Sequence, residues 1–177
     1  MTEDTALRLT EWTTCGGCAA KWGAGPLDAL LATLAASTND GNLLIGLDGF
    51  DDAAVFALDD ERALVSTTDF FPPMVDDPAD FGAIAAANAC SDVFAMGGRV
   101  ILALNIAAFP ERLPATVIDT ILTSAASVVA LAGGVVAGGH TIRSEEPIFG
   151  LAVQGLVSRD RILTKSGARP GQAAVLS

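Results

Sequence analysis

The stretch from Thr68 to Gly98, TDFFPPMVDDPADFGAIAAANACSDVFAMGG, constrains this chain more than any other. It predicts a strand, a proline loop and a helix closed by glycine. On that apolar scaffold it carries the carboxylates Asp69, Asp76, Asp77 and Asp92 and the amide of Asn88. Carboxylates set among Ala, Ile, Val, Phe and Met lose solvation free energy unless a partner compensates them. Hard divalent cations, which take oxygen ligands, are the obvious partners. A second acidic cluster, Asp48-Gly49-Phe50-Asp51-Asp52-Ala53-Ala54-Val55, lies about one strand and turn upstream. Two such clusters point to a metal–phosphate site.

The rest of the chain fits an α/β mixture. A glycine-dotted leader, residues 1–25, ends in CGGCAAKWGAG and is expected to be loose without a ligand. A helix is predicted from Pro26, a favoured first-turn residue, to the Ser37–Gly41 turn. Strands follow at 43–47, 53–58 and 63–68, then a helix over 80–96 stopped by Gly97-Gly98. A strand at 100–107 comes next. Val117, Ile118, Ile121, Leu122, Ala125, Val128, Val129 and Ala132 then repeat with helical period up to Gly133-Gly134. A short strand at 135–137 runs into Gly138-Gly139-His140-Thr141, and strands at 148–157 and 173–176 finish the chain. Strands, helix, strand, helix, strands is not a strict alternation. It predicts an α+β fold, a mixed sheet with helices on one face.

Composition narrows the function. Of 177 residues 51% are hydrophobic, enough for one sizeable core, and no apolar run reaches the ~18 residues of a membrane span. The N-terminus MTEDTALRLTEW is acidic and lacks the apolar block of a signal peptide, so the chain reads as a soluble cytoplasmic protein. A net charge of −11 argues against nucleic acid and would also repel a bare nucleotide. An anionic substrate would therefore need metal cations. Cys15, Cys18 and Cys90 cannot build a disulfide framework. Lysine occurs only at 21 and 165, so either one is conspicuous in a motif.

Cys15-Gly-Gly-Cys18 is a C-x-x-C pair, but a zinc site would want more ligands than Cys90 and His140 supply. A thiol three residues before Lys21 reads better as a nucleophile or a ligand for a soft atom, the ammonium favouring thiolate and attracting phosphate. Incidental surface cysteines are the alternative. Asp51 and Asp52 precede a strand and point to opposite faces, so one ligates while the other faces a nucleotide or caps a turn. Asn88 and Asp92 share a helix face flanked by small residues. Either that face is simply solvated or it receives a ligand. Gly138–Thr141 offers a cradle of backbone amides for phosphate, with ordinary turn chemistry as the alternative. Cys90 reads as a packed core residue.

The blocks LTEWTTCGGCAAK, DDAAVFAL, STTDFFPPMVDDPADFGAIAAANACSDVFAMGG, AGGHTIRSEEPIFGLAVQGLV and GARPG resemble selenophosphate synthetase (selenide, water dikinase), of the aminoimidazole ribonucleotide synthetase-like superfamily. The third block separates that family from its thiamine-phosphate kinase and hydrogenase-maturation relatives. The resemblance implies that ATP, selenide and water give selenophosphate, AMP and phosphate. It implies that Cys18 handles selenide, that Lys21 is essential, and that Asp52 and Asp92 hold Mg²⁺. It implies nucleotide contacts at Lys21, Gly49, Phe50, Asp51, Asp69, Asp92, Gly139, His140 and Thr141, the last three reaching the partner subunit of a homodimer whose N-terminal domains join sheets. Whether potassium is also needed stays open. The family often reads G-C/U-G-C-K where this chain has Cys18-Ala-Ala-Lys21, which leaves the role of Cys15 open. The implied organisation is a leader at 1–25, an ATP- and metal-binding domain at 26–165, and the start of a C-terminal domain at 166–177. Two other readings stand beside it: a non-catalytic dimerisation or nucleotide-binding module, and an ATP-dependent small-molecule kinase of the same superfamily.

Overall fold

In the computed structural model the described residues are 7–23, 25, 27, 31, 34, 40–47 and 50–173. Six strands form one sheet: β1 (Leu43–Ile45), β2 (Ala54–Ala57), β3 (Arg62–Phe71), β4 (Arg99–Phe109), β5 (Val135–Arg143) and β6 (Ile148–Ser158). Their order is β1-β2-β3-β6-β4-β5. Every neighbouring pair is antiparallel except β4 and β5, which are parallel and need the helical crossover between them. Helices α1 (Pro78–Ala95) and α2 (Ala115–Leu131) pack on each other and on the sheet. The expected α+β architecture is the one found. The expected helix beginning at Pro26 and the strand at 173–176 fall mostly outside the described residues, though Gly25, Leu27, Leu31 and Leu34 are helical.

Local chemistry sets the helix bounds. Asp77 caps α1, its Oδ1 accepting from the amides of Ala79 (2.8 Å) and Asp80 (2.9 Å), with Pro78 at the first helical position. Gly97, at φ +77°, ends α1: its N–H donates to Phe94 O and that of Gly98 to Val93 O, both at 2.9 Å. Gly133 and Gly134 repeat this six-to-one, five-to-two closure on Ala130 and Val129 at the end of α2.

The core lies between the helices and one face of the sheet. Phe71, Phe81, Phe109 and Phe149 touch in a chain with ring centroids 6.2–6.4 Å apart. The inward face of α1 is mostly small: Ala85, Ala86, Ala89 and Cys90 are buried. This lets α2 approach so closely that a Cβ on Gly82 would stand 2.2 Å from Ile121 O. Gly82→Ala gains about 1 kcal/mol of helix propensity. Overpacking against a backbone carbonyl that cannot swing aside costs about 3 kcal/mol. A net loss of about 2 kcal/mol is expected in urea denaturation, and an unshifted midpoint would contradict the close helix contact.

Several strands run past their expected ends. β3 reaches Phe71, so Asp69 lies inside the strand rather than at its end. β5 continues through Arg143, so Gly138-Gly139-His140-Thr141 is not a turn after a short strand. Gly139 pairs with Asn105 where the register shifts, and a Cβ there would meet Asn105 O at 2.2 Å. Close strand approach is why glycine stands there.

Candidate functional site

Alternation along β3 decides what faces α1. Ala63, Val65 and Phe71 are buried under the helices, which puts Thr67 and Asp69 on the same side. The polar pair meets the polar stripe of α1. Thr67 Oγ1 donates to Asp92 Oδ2 at 2.7 Å, and Asn88 Nδ2 donates to Asp69 Oδ2. The four-residue spacing of Asn88 and Asp92 thus matches the two-residue spacing of Asp69 and Thr67.

The leader joins this cluster. Lys21 Nζ lies 2.6 Å from Asp69 Oδ1, across 48 residues of chain. The hydrogen bond to Asp69 raises the Lys21 pKa despite desolvation, and the charges of Asp69, Cys18 and Asp92 add to the rise. Cys18 is exposed on the 3-10 turn Gly17–Ala20, and its carbonyl accepts from Lys21 N at 3.1 Å. Burial pushes the Asp92 carboxyl up, against the Thr67 hydrogen bond, and the charges of Asp69 and Asp52 push it further. A carboxyl whose ionised form is penalised in this way gains most from a cation beside it.

The segment expected to be loose is held at several points in its described part. Leu9 is fully buried, and Gly17 N donates to Pro72 O at 2.9 Å. Gly16 is glycine for space, since a Cβ would meet the Pro73 carbonyl oxygen at 2.4 Å, and Gly17 for its left-handed backbone at φ +61°, beside the Met74 side chain. Arg112 stacks over Trp12 at 4.6 Å, and Thr13 Oγ1 lies 3.0 Å from Glu146 Oε2. Asp76 and Asp77, expected as ligand carboxylates, hold the structure together instead. Asp77 caps α1, while Asp76 Oδ1 accepts from Thr10 Oγ1 (2.5 Å) and Thr10 N (3.1 Å). The Thr10 hydroxyl, then its amide, lowers the Asp76 pKa. A depressed carboxylate pKa stabilises above the unfolded value, and that contribution is lost as pH falls through the folded one. Exchange of the Thr10 amide is therefore expected to accelerate on acidification below the ordinary carboxylate range. Asp76→Asn, whose side chain does not titrate, should remove that dependence, and a pH-independent wild type would contradict it.

The upstream acidic loop leads into β2 and lines a cavity with Ser66 and Thr67 of β3. Asp52 Oδ1 lies 3.0 Å from Lys165 Nζ, which also donates to Phe50 O at 2.7 Å, and Lys165 N donates to Asp51 Oδ1 at 2.7 Å. Phe50 is the one non-glycine residue with positive φ (51°) among the described residues. Oxygens that hold an ammonium are the hard donors Mg²⁺ takes, so Asp52 and Phe50 fit such an ion. Among the described residues no three His, Cys, Asp or Glu side chains form a metal cluster. The ion would rest on one or two carboxylates, with phosphate and water completing its shell, as is usual for Mg²⁺.

Two cavities meet at Thr68. One of about 560 Å³ is lined by Gly17, Lys21, Trp22, Asp69 and Phe71, the other, about 410 Å³, by Asp51, Asp52, Ser66 and Thr67. Of the expected site residues, Cys18, Lys21, Asp69 and Asp92 come together, with Phe50, Asp51 and Asp52 on the upstream acidic loop. Gly49 lies outside the described residues. Gly139, His140 and Thr141 do not join them: β5 is three strands from β3, roughly 14 Å by strand spacing. Thr67 and Lys165 carry contacts that the sequence reading did not assign. The rarity of lysine was the signal for the second.

The family description "AIR synthase related protein, N-terminal domain" matches residues 50–157. The chain is 49% identical over 174 residues to a "Selenide, water dikinase" of Myxococcus xanthus, covering 98% of this chain and 49% of that protein. It is 46% identical over 170 residues to one of Clostridioides difficile, covering 96% and 49%. The chain thus spans about half the length of the curated relatives it matches. Among solved structures it resembles "AaThiL complexed with AMPPCP and TMP", with a TM-score of 0.67 and 26% identity over 82% of this chain and 44% of that one. A thiamine monophosphate kinase of Aquifex aeolicus has the same fold, with a TM-score of 0.63 and 24% identity over 83% and 46%.

Proposed function

The chain belongs to the AIR synthase related N-terminal-domain family, and on that premise we propose that it is the N-terminal half of a selenide, water dikinase. That enzyme turns ATP, selenide and water into selenophosphate, AMP and phosphate. The observation that carries the reading is the 2.6 Å contact of Lys21 with Asp69, which holds a thiol-bearing turn at an acidic strand. A generic nucleotide kinase has no use for that thiol.

Each residue then has a task. Cys18, exposed on its turn, would handle selenide through non-covalent contact of its polarisable sulfur, with no S–Se bond formed and no oxidant required. Lys21, positively charged, sits where it can exchange the Asp69 carboxylate for a phosphate oxygen. Asp52 and Asp92 hold Mg²⁺, which when bound neutralises polyphosphate charge that a chain of net charge −11 would otherwise repel. Gly49, Phe50, Asp51, Asp69 and Asp92 line the nucleotide. Phosphoryl transfer asks mainly for such positioning and charge neutralisation.

A homodimer completes the reading. The sheet face away from the helices presents Phe70 and Ile142, 49% and 54% exposed, beside Phe56 and Leu104. Gln154 Oε1 is buried on that face without a partner. A second copy would cover these groups and bring Gly139, His140 and Thr141 to the neighbouring site. Sedimentation as a monomer at high micromolar concentration would sink this part.

The test is calorimetry of the chain with a non-hydrolysable ATP analogue. Binding is expected with Mg²⁺ and absent with chelator. Equal binding in both would rule out the metal-mediated site. No helix among the described residues is long and apolar enough to cross a membrane.

A further inference from the structure

Both lysines of this chain lie on its acidic residues, each paired with a different aspartate. Lys21 neutralises Asp69, and Lys165 neutralises Asp52. Lys165 does more than form a surface ion pair, because three of its contacts converge on one loop. Its ammonium is 3.0 Å from Asp52 Oδ1 and 2.7 Å from Phe50 O, while its own amide is held by Asp51 Oδ1 at 2.7 Å. The loop is held in left-handed backbone at Phe50, the residue whose carbonyl takes the ammonium. Such conformations persist where surrounding contacts fix them, and they gather at functional sites.

We infer that Lys165 is a built-in counter-cation that competes with the divalent cation for Asp52 and Phe50 O. Its displacement unclips residues 162–167 from the acidic loop. This rests on the reading of Asp52 as a metal ligand. The physical reason is that one carboxylate oxygen and one carbonyl cannot serve an ammonium and a dication together. Like charges about 3 Å apart repel strongly even when partly screened. The clip lies just beyond β6: Leu163 N donates to Met96 O at 3.2 Å, and the turn Lys165–Gly167 follows. Metal loading would thus be reported to whatever follows residue 167 through the release of one short segment. Lys165 is a positioning residue in this scheme and need not touch the reacting atoms.

The experiment uses Mn²⁺ as probe, its free concentration read by electron paramagnetic resonance, on the wild-type chain, Lys165→Met and Lys165→Arg. An exposed ion pair is a weak competitor, so Lys165→Met is expected to bind Mn²⁺ about 3- to 10-fold more tightly. Lys165→Arg should stay near wild type. Hydrogen exchange of the wild-type chain supplies a readout independent of any variant's folding: saturating Mn²⁺ should accelerate exchange at the Lys165 amide. Unchanged or weaker binding by Lys165→Met, equal tightening by Lys165→Arg, or an unmoved Lys165 amide each overturns the inference and leaves the metal reading standing. No Mn²⁺ binding by any of the three proteins overturns both.

Discussion

Cys18→Ser in the full-length protein is expected to reduce selenide-dependent AMP formation about 100-fold or more, the scale of loss when a reacting group is no longer delivered. Serine keeps the size and the turn but not the soft, polarisable sulfur to which the proposed function assigns the handling of selenide. Cys18 is exposed, so the substitution should leave stability unchanged. The same variant separates the competing readings. A kinase acting on another small substrate should hardly notice the change, and neither should a nucleotide-binding module. Cys15→Ser serves as the control. Its thiol is also exposed, and its backbone is tied to Thr13, whose Oγ1 donates to Cys15 O at 2.8 Å. Activity retained by Cys18→Ser and lost by Cys15→Ser would reassign the selenide-handling thiol.

Asp92→Asn is expected to weaken Mg²⁺-dependent nucleotide binding by about 10- to 100-fold, the usual effect of altering one metal-site group. An asparagine side chain can still accept the Thr67 hydroxyl, which lies 2.7 Å from the carboxylate, so the loss would come from charge. The metal-free chain should respond in the opposite direction. Burial raises the Asp92 pKa, so the folded state holds its proton more tightly than the unfolded state. Wild-type stability then falls as pH rises from the ordinary carboxylate value through the raised one. The amide introduced by Asp92→Asn is never ionised and escapes that penalty. The variant's melting temperature without metal should exceed wild type at neutral pH and converge with it in acid. A variant that is less stable without metal at neutral pH, yet binds nucleotide normally, would show that Asp92 is only a structural acceptor for Thr67.

The sequence made the C-terminal helix ends legible because glycine closure is local. The glycine pairs at 97–98 and 133–134 act within a few residues of themselves, whereas the Asp77-Pro78 start was missed: the helix was expected from 80 and Asp77 as a ligand carboxylate. Asn88 and Asp92 could be singled out by a similarly local pattern, one helix face, and Asp69 as a carboxylate at an expected strand end. Strand ends were less legible, since β3 and β5 extend by pairing with strands far away in sequence. That non-local pairing moved Asp69 into a strand interior and turned the Gly138–Thr141 motif into an edge strand. The docking of the leader was also hidden. It depends on Leu9 finding a core and on Gly16 and Gly17 fitting against Pro73 and Met74, contacts between segments more than fifty residues apart. The glycines suggested looseness, whereas Gly16 serves close approach and Gly17 a left-handed backbone. Lys165 stood out only by the scarcity of lysine, with nothing in its neighbourhood to reveal that its partners were Phe50, Asp51 and Asp52.

The most direct test of the central claim is a phosphorus NMR count of products from ATP in the full-length protein, with and without selenide. Selenophosphate and AMP are expected in equal amounts, appearing only when selenide is present. ADP as the nucleotide product, or AMP formed equally without selenide, would contradict that claim.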